Sequence, residues 1–230
     1  MARLASLNVG RAQSFDLGER KLRSAIVKAP IAGPAAIGRD GVDGDQQADR
    51  RFHGGPEKAV LLYALEHYPF WTRALRCVEL PPGTFGENLT IEGWPLFERE
   101  LHVGDELQIG DAARGARVQL TTPRQPCWKL EARMGIAGFA KAFLESGRIG
   151  SYARVTQPGT IAAGDPIVVA SRSPRAAPLA DLIAALHLDD RAAAERVLAD
   201  PELDPALRRK VEWRLRRRRG DGATDPDDES

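Results

Sequence analysis

Along the first 172 or so residues, short apolar runs, some of them alternating with polar positions at a period of two, are punctuated by glycine and proline. That pattern predicts strands over 3–9, 24–29, 58–63, 86–91, 106–109, 117–121, 151–156 and 166–170, too short and too β-branched for helices. Three helices interrupt them, at 65–76, 128–134 and 136–145, the last stopped by Gly147 as a left-handed cap. After Pro174 the period lengthens to three or four and the composition turns to Ala, Leu and Arg. Helices are predicted over 178–187 and 190–198, and Asp204 with Pro205 supplies an N-cap and first-turn proline for a third. Leu207, Val211 and Leu215 give that third helix an apolar stripe under an arginine-covered surface. The expected organisation is a β-rich domain over 1–173, a three-helix domain over 174–219 and a disordered acidic tail over 220–230.

Composition adds limits. A chain of 230 residues, 43% hydrophobic and 28% charged, is long enough for a stable core and excludes wholesale disorder. The longest apolar run, 59–65, falls far short of the ~20 residues of a membrane span, so no membrane association is expected. The first residues carry no signal-peptide pattern, which makes a cytoplasmic location the expectation. Cys77 and Cys127 are too few for a disulfide framework or an iron–sulfur cluster. Residues 205–219 hold eight basic residues and one acidic, and 220–230 hold five acidic and none basic, so the remaining body is nearly neutral. A nucleic-acid protein spreads positive charge over its folded face, and this local patch argues against that partner.

Three stretches carry candidate chemistry. The first, GDQQADRRFHGGPEKAVLLY over 44–63, gathers Asp45, Asp49, Arg50, Arg51, His53, Glu57 and Lys58 around Gly54-Gly55-Pro56. Glycines let a backbone approach a ligand, and amides beside Arg, His and Lys form an anion cradle; a solvated tight loop is the equal alternative. In the second, FGEN over 85–88, Glu87 and Asn88 could pair with a polar heterocycle or simply open a strand. The third, QLTTPRQPCWKL over 119–130, puts Cys127 after Pro126 at a helix start beside Arg124 and Lys129. That setting favours a thiolate, the form that binds metals. Cys77, in RCVEL, reads as a small buried hydrophobe.

Taken in order, Ser24-Ala25-Ile26, Gly33-Pro34, GDQQADRRFHGGPEKAV, YALEHYPFW, FGENLT, VGDELQIG and PRQPCWKL resemble the MOSC domain family, in its stand-alone YiiM-like branch, over nearly the whole chain. The resemblance implies a distorted, mostly antiparallel β-barrel with rim helices, and a molybdenum cofactor (molybdopterin) whose metal is bound by Cys127. It implies a molybdenum-dependent oxidoreductase that reduces N-hydroxylated bases or amines of the hydroxylaminopurine type to amines. Arg124 and Lys129 would hold the cofactor's phosphate and pterin, with His53, Lys58, Gly54, Gly55 and Asn88 from the other two stretches. His53 could also give a proton as hydroxyl leaves as water. With no segment for a flavin or haem, an external flavoprotein-type donor is expected. The alternative function is a non-catalytic carrier of cofactor or sulfur. A strand edge or the terminal helices could support a homodimer.

Overall fold

The structure is a computed structural model that describes residues 1–17, 20–48, 54–95, 97–172, 174–201 and 203–217; the expected tail at 220–230 lies outside them. Its centre is a barrel of seven strands: β1 (Ala2–Val9), β7 (Val60–Ala64), β8 (Leu89–Glu92), β9 (Glu106–Ile109), β10 (Ala116–Pro123), β11 (Ser151–Gln157) and β13 (Pro166–Ser171). The strands run in the order β13-β9-β10-β11-β7-β8-β1, and β1 pairs back onto β13 through Ala2↔Ile167 and Arg3↔Pro166 to close the ring. Closure leaves these strands without the open edge that invites aggregation. Every barrel pairing is antiparallel except β7–β8, where Leu62 faces Leu89 in a parallel register. A parallel pair requires a crossover, here supplied by a 3₁₀ turn, Leu65–His67, and helix α1 (Tyr68–Leu75).

β7 shows how the sequence makes the barrel wall. All five of its residues, VLLYA, are buried. Val60, Leu62 and Ala64 point into the barrel core with Leu4, Leu7, Leu89, Ile91, Leu107, Val118 and Ile167. Tyr63, on the opposite face, enters a second cluster with Tyr68, Trp71, Phe85, Phe139 and Phe143. The rings of Trp71 and Phe143 stack with centroids 5.1 Å apart, and those of Tyr63 and Phe143 at 5.8 Å. Each such contact contributes ~1 kcal/mol beyond its buried area. Phe139 and Phe143 sit on α4 (Phe139–Glu145), which follows α3 (Trp128–Met134) and clamps this end of the barrel.

Outside the ring lie a hairpin, β2 (Gln13–Leu17) with β3 (Arg20–Ser24), short β4 (Ala29–Pro30) against β1, and a small sheet of β5 (Ala35–Gly38), β6 (Gly41–Val42) and β12 (Gly159–Ile161). Helix α2 (Phe97–Glu100) precedes β9. The last three helices are α5 (Leu179–His187), α6 (Arg191–Leu198) and α7 (Pro205–Arg217). They share a core of Leu182, Leu186, Ala193, Val197, Leu207 and Val211. α5 also sends Leu179 into the barrel core and Ile183 into the aromatic cluster. Asp190 caps α6 by accepting from the Ala193 amide at 3.0 Å, and Asp204 caps α7 through the Ala206 and Leu207 amides.

Several elements depart from the pattern-based expectation. Residues 25–28 form no strand; the chain leaves β3 at Ser24 and turns Ile26 and Lys28 inward. Gly10 permits this, since a Cβ there would lie 2.4 Å from the Val27 carbonyl oxygen. α1 starts at Tyr68 because Pro69 suits a first helical turn. α4 starts at Phe139, three residues late, after Gly138 in the left-handed region at φ 77°. The stop at Gly147 holds, with φ 68°.

Candidate functional site

One row of paired Cα positions, Pro123–Ser151–Leu62–Leu89, crosses four neighbouring strands. Just past its two ends lie Arg124 and Asn88, and over it the chain folds Cys127. Cys127 is the N-cap of α3, in extended backbone (φ −130°, ψ 173°), and its carbonyl accepts from the Leu130 amide at 2.9 Å. Its thiol is half-buried and borders two spaces at once.

The inner space is a small cavity lined by Lys28, Asp45, Lys58, Asn88, Arg124, Cys127, Lys129 and Tyr152, among others. The outer is a cleft of about 1600 Å³ running from Cys127, Trp128 and Lys129 along β10 to the faces of α5 and α7. Lys58, Lys129 and Tyr152 border both.

Arg124 is 5% exposed, with its guanidinium donating to the Phe85 carbonyl and lying 5.4 Å from the centre of the Phe143 ring. The FGEN stretch therefore fixes a cation on the cysteine's own loop. Lys58 closes a 3₁₀ turn, Pro56–Lys58, and its ammonium lies 5.7 Å from the centre of the Tyr152 ring. Gly55 enters that turn at φ 86°, and its amide donates to Gln47 Oε1 at 3.0 Å. Gly54 and Gly55 thus shape the turn that delivers Lys58 and do not line either space; the amide at Gly55 is already used. His53, Asp49, Arg50 and Arg51 lie outside the described residues.

Asn88 reaches the inner cavity with its amide committed. Oδ1 accepts from the Leu61 amide at 3.2 Å, and Nδ2 donates to Asp45 Oδ2 at 2.9 Å and to the Asn8 carbonyl at 3.3 Å. Asp45 also accepts from the Gly10 amide at 2.7 Å and from the Lys28 ammonium. Burial pulls Lys28 below the ordinary lysine range, and the Asp45 charge opposes that pull. Burial likewise pushes the Tyr152 hydroxyl up, against the pull of Arg124. Glu87 belongs elsewhere: it is fully buried and takes hydrogen bonds from the Gly83 amide, Tyr68 and Thr90 on one oxygen, outside both spaces.

The sequence reading missed Lys28, Tyr152 and the far wall made by His187, Lys210, Trp213 and Arg214. A lone lysine inside the apolar run 25–30 was the available signal for a buried charge. The far wall left none, because it depends on how α5 and α7 dock.

The barrel and this cysteine-centred site define a MOSC protein. The sequence model of the MOSC domain matches residues 49–168, and the chain belongs to that family, in its YiiM-like branch. It is 34% identical to the uncharacterised protein YflK of Bacillus subtilis over 88% of this chain and 90% of that one. The crystal structure of YiiM from Geobacillus stearothermophilus superposes with a TM-score of 0.72 at 31% identity, covering 94% of this chain and all of that one. A Gibberella moniliformis protein named "Reductase" is 33% identical over 74% of this chain, which spans 29% of its length. No helix among the described residues is long and apolar enough to cross a membrane.

Proposed function

We propose that the protein is a molybdenum-cofactor-dependent reductase of N-hydroxylated bases and amines. The observation that carries this reading is the position of Cys127, a half-buried thiol at the meeting of a cation-lined inner cavity and a solvent-open cleft. Membership of the MOSC family and the name of the fungal relative support it.

The donor set fits the cofactor. Among the described residues there is no group of three or more His, Cys, Asp or Glu side chains able to hold a bare metal ion. One soft sulfur donor in a cavity shared with Lys58, Arg124 and Lys129 suits a metal that arrives already held by sulfur and carries a phosphate. When bound, the cofactor supplies a centre that exchanges oxygen and two electrons. Cys127 provides the protein's sulfur to it. Lys58, Arg124 and Lys129 neutralise its phosphate, with Asn88 and Asp45 holding the wall behind them. The net reaction consumes two electrons and two protons per N–O bond broken, giving the amine and water. The electrons come from an external flavoprotein-type donor, and His53 is the proposed proton source.

The test is to purify the protein from cells able to make the cofactor, then measure molybdenum, pterin and reduction of 6-hydroxylaminopurine by a chemical donor. Turnover that is lost together with metal in Cys127→Ala supports the reading. A metal-loaded protein that is inert, or a Cys127→Ala variant that keeps full metal and activity, overturns it. Inert protein that passes cofactor or a Cys127 persulfide to an acceptor enzyme would make it a carrier.

A further inference from the structure

Cys127 stands between two residues of its own loop whose side chains the fold leaves unused. Gln125 and Trp128 are both exposed, the indole to 53%. Among the described residues, neither side chain has a hydrogen-bond, ion-pair or ring partner. The polar side chains of β10 that line the same cleft are committed. The Gln119 amide donates to the Gly104 carbonyl at 2.9 Å and accepts from Arg154 at 2.9 Å. Thr121 donates to the Glu57 carbonyl at 2.7 Å, and Thr122 to the Pro123 carbonyl at 3.4 Å.

Position separates the pair from the cofactor's own wall. Gln125 borders both spaces, as Cys127 does, whereas Trp128 borders the outer cleft alone. A single exposed apolar side chain needs no explanation on a flat surface. This one adjoins the thiol and forms part of a concave wall, on the side from which a substrate reaches the metal.

Their chemistry is complementary. An indole face stacks on a flat aromatic ring whatever its substituents. A carboxamide sets one donor beside one acceptor and so pairs with an amine next to a ring nitrogen, the edge that glutamine reads on adenine. In a purine hydroxylated on its exocyclic amine, that edge adjoins the N–O bond to be broken. An aliphatic hydroxylamine has neither the face nor the edge.

Resting on the reductase reading above, we infer that Trp128 and Gln125 select the substrate: a planar heteroaromatic base stacks on Trp128 in the outer cleft and pairs through its amine-bearing edge with the Gln125 carboxamide, which brings the N–O group to Cys127.

Binding is measured first, by calorimetry of oxidised holoprotein with adenine, the amine product, so that no turnover intervenes. Trp128→Ala is expected to weaken adenine about tenfold, within the range for loss of one base–aromatic stack, and Trp128→Phe to keep most of the affinity. Gln125→Ala should weaken adenine by about threefold to tenfold, the net effect of one or two hydrogen bonds, and leave unsubstituted purine, which lacks the amine, unchanged. Molybdenum content should equal wild type in all three variants. With a chemical donor, Trp128→Ala should lower kcat/KM for 6-hydroxylaminopurine about tenfold and leave that for N-methylhydroxylamine within twofold. Unchanged adenine binding in Trp128→Ala, equal losses for the two substrates, or loss of molybdenum overturns the inference. A defect seen with a protein donor but not with a chemical one also overturns it, since the indole would then be serving the donor. Adenine held through Trp128 by a protein that reduces no N-hydroxylated compound leaves this base site standing and sinks the reductase. Reduction indifferent to both side chains does the opposite.

Discussion

Asn88 and Asp45 are joined side chain to side chain, Nδ2 to Oδ2 at 2.9 Å, across 43 residues of sequence. Asp45 takes the Lys28 ammonium on its other oxygen, in a pair whose side chains are 8% and 5% exposed. The inner cavity wall is therefore one connected polar unit, and its members depend on one another.

Removing Asp45 strands a buried ammonium. Asp45→Ala is expected to cost about 3–5 kcal/mol in urea unfolding, the range for breaking a buried pair. Lys28→Met with Asp45→Ala should recover part of that loss, because no lone charge then remains. A double variant less stable than Asp45→Ala alone would contradict this account.

Burial raises Glu87 above the ordinary carboxylate range despite bonds from Tyr68, Gly83 and Thr90. Glu87→Gln keeps the accepting oxygen and should lie within about 1 kcal/mol of wild type near pH 5, whereas Glu87→Ala should lose about 2–4 kcal/mol through cavity and orphaned donors. The folded state holds the Glu87 proton to higher pH than the unfolded state does. Wild type should thus lose stability relative to Glu87→Gln as pH rises above the usual glutamate range. A difference that stays flat with pH would show the group ionised throughout.

His187 works in the other direction. Its folded value is depressed to about 4, so between there and the ordinary histidine value the unfolded chain binds the proton and the folded chain does not. The stabilisation is complete above about pH 6.5 and is lost as pH falls toward 4. Thermal melts of wild type and His187→Gln should diverge across that window, with the variant the less acid-sensitive. An NMR titration placing His187 at 6.5 or above would refute it.

The two cysteines should separate in function. Cys77 faces the carbonyl of Thr72 at the end of α1 and borders neither cavity. Cys77→Ala should keep molybdenum and activity within about twofold, while Cys127→Ala should lose most of both and unfold within about 1 kcal/mol of wild type, as expected for a half-exposed side chain. Metal analysis beside urea titrations checks both.

Short apolar runs cut off by glycine and proline were enough to find the barrel, β7 included, although burial on both faces leaves that strand without alternation. The same pattern misplaced residues 25–28, whose apolar run serves the cavity, and it passed over β2 and β3, whose sequences QSFDL and RKLRS set few apolar residues among charged ones. Of the site, Cys127, Arg124, Lys58 and Lys129 were legible because each sits in a short stretch too polar for core. Asn88, expected to help hold the cofactor, borders the inner cavity, and Leu61, Asn8 and Asp45 use its amide. Such partnerships join residues dozens of positions apart and leave no local trace.

The seam between β1 and β13 sets residue 2 against residue 167. On a ribosome, the ring cannot shut until the latter has emerged from the exit tunnel, so β1, which meets β8 earlier, keeps its second edge open through most of synthesis. Pairing so distant in sequence is slow, and the interval exposes one apolar strand to wrong partners. Slow closure of that seam should make the yield of folded protein depend on chaperone supply during expression.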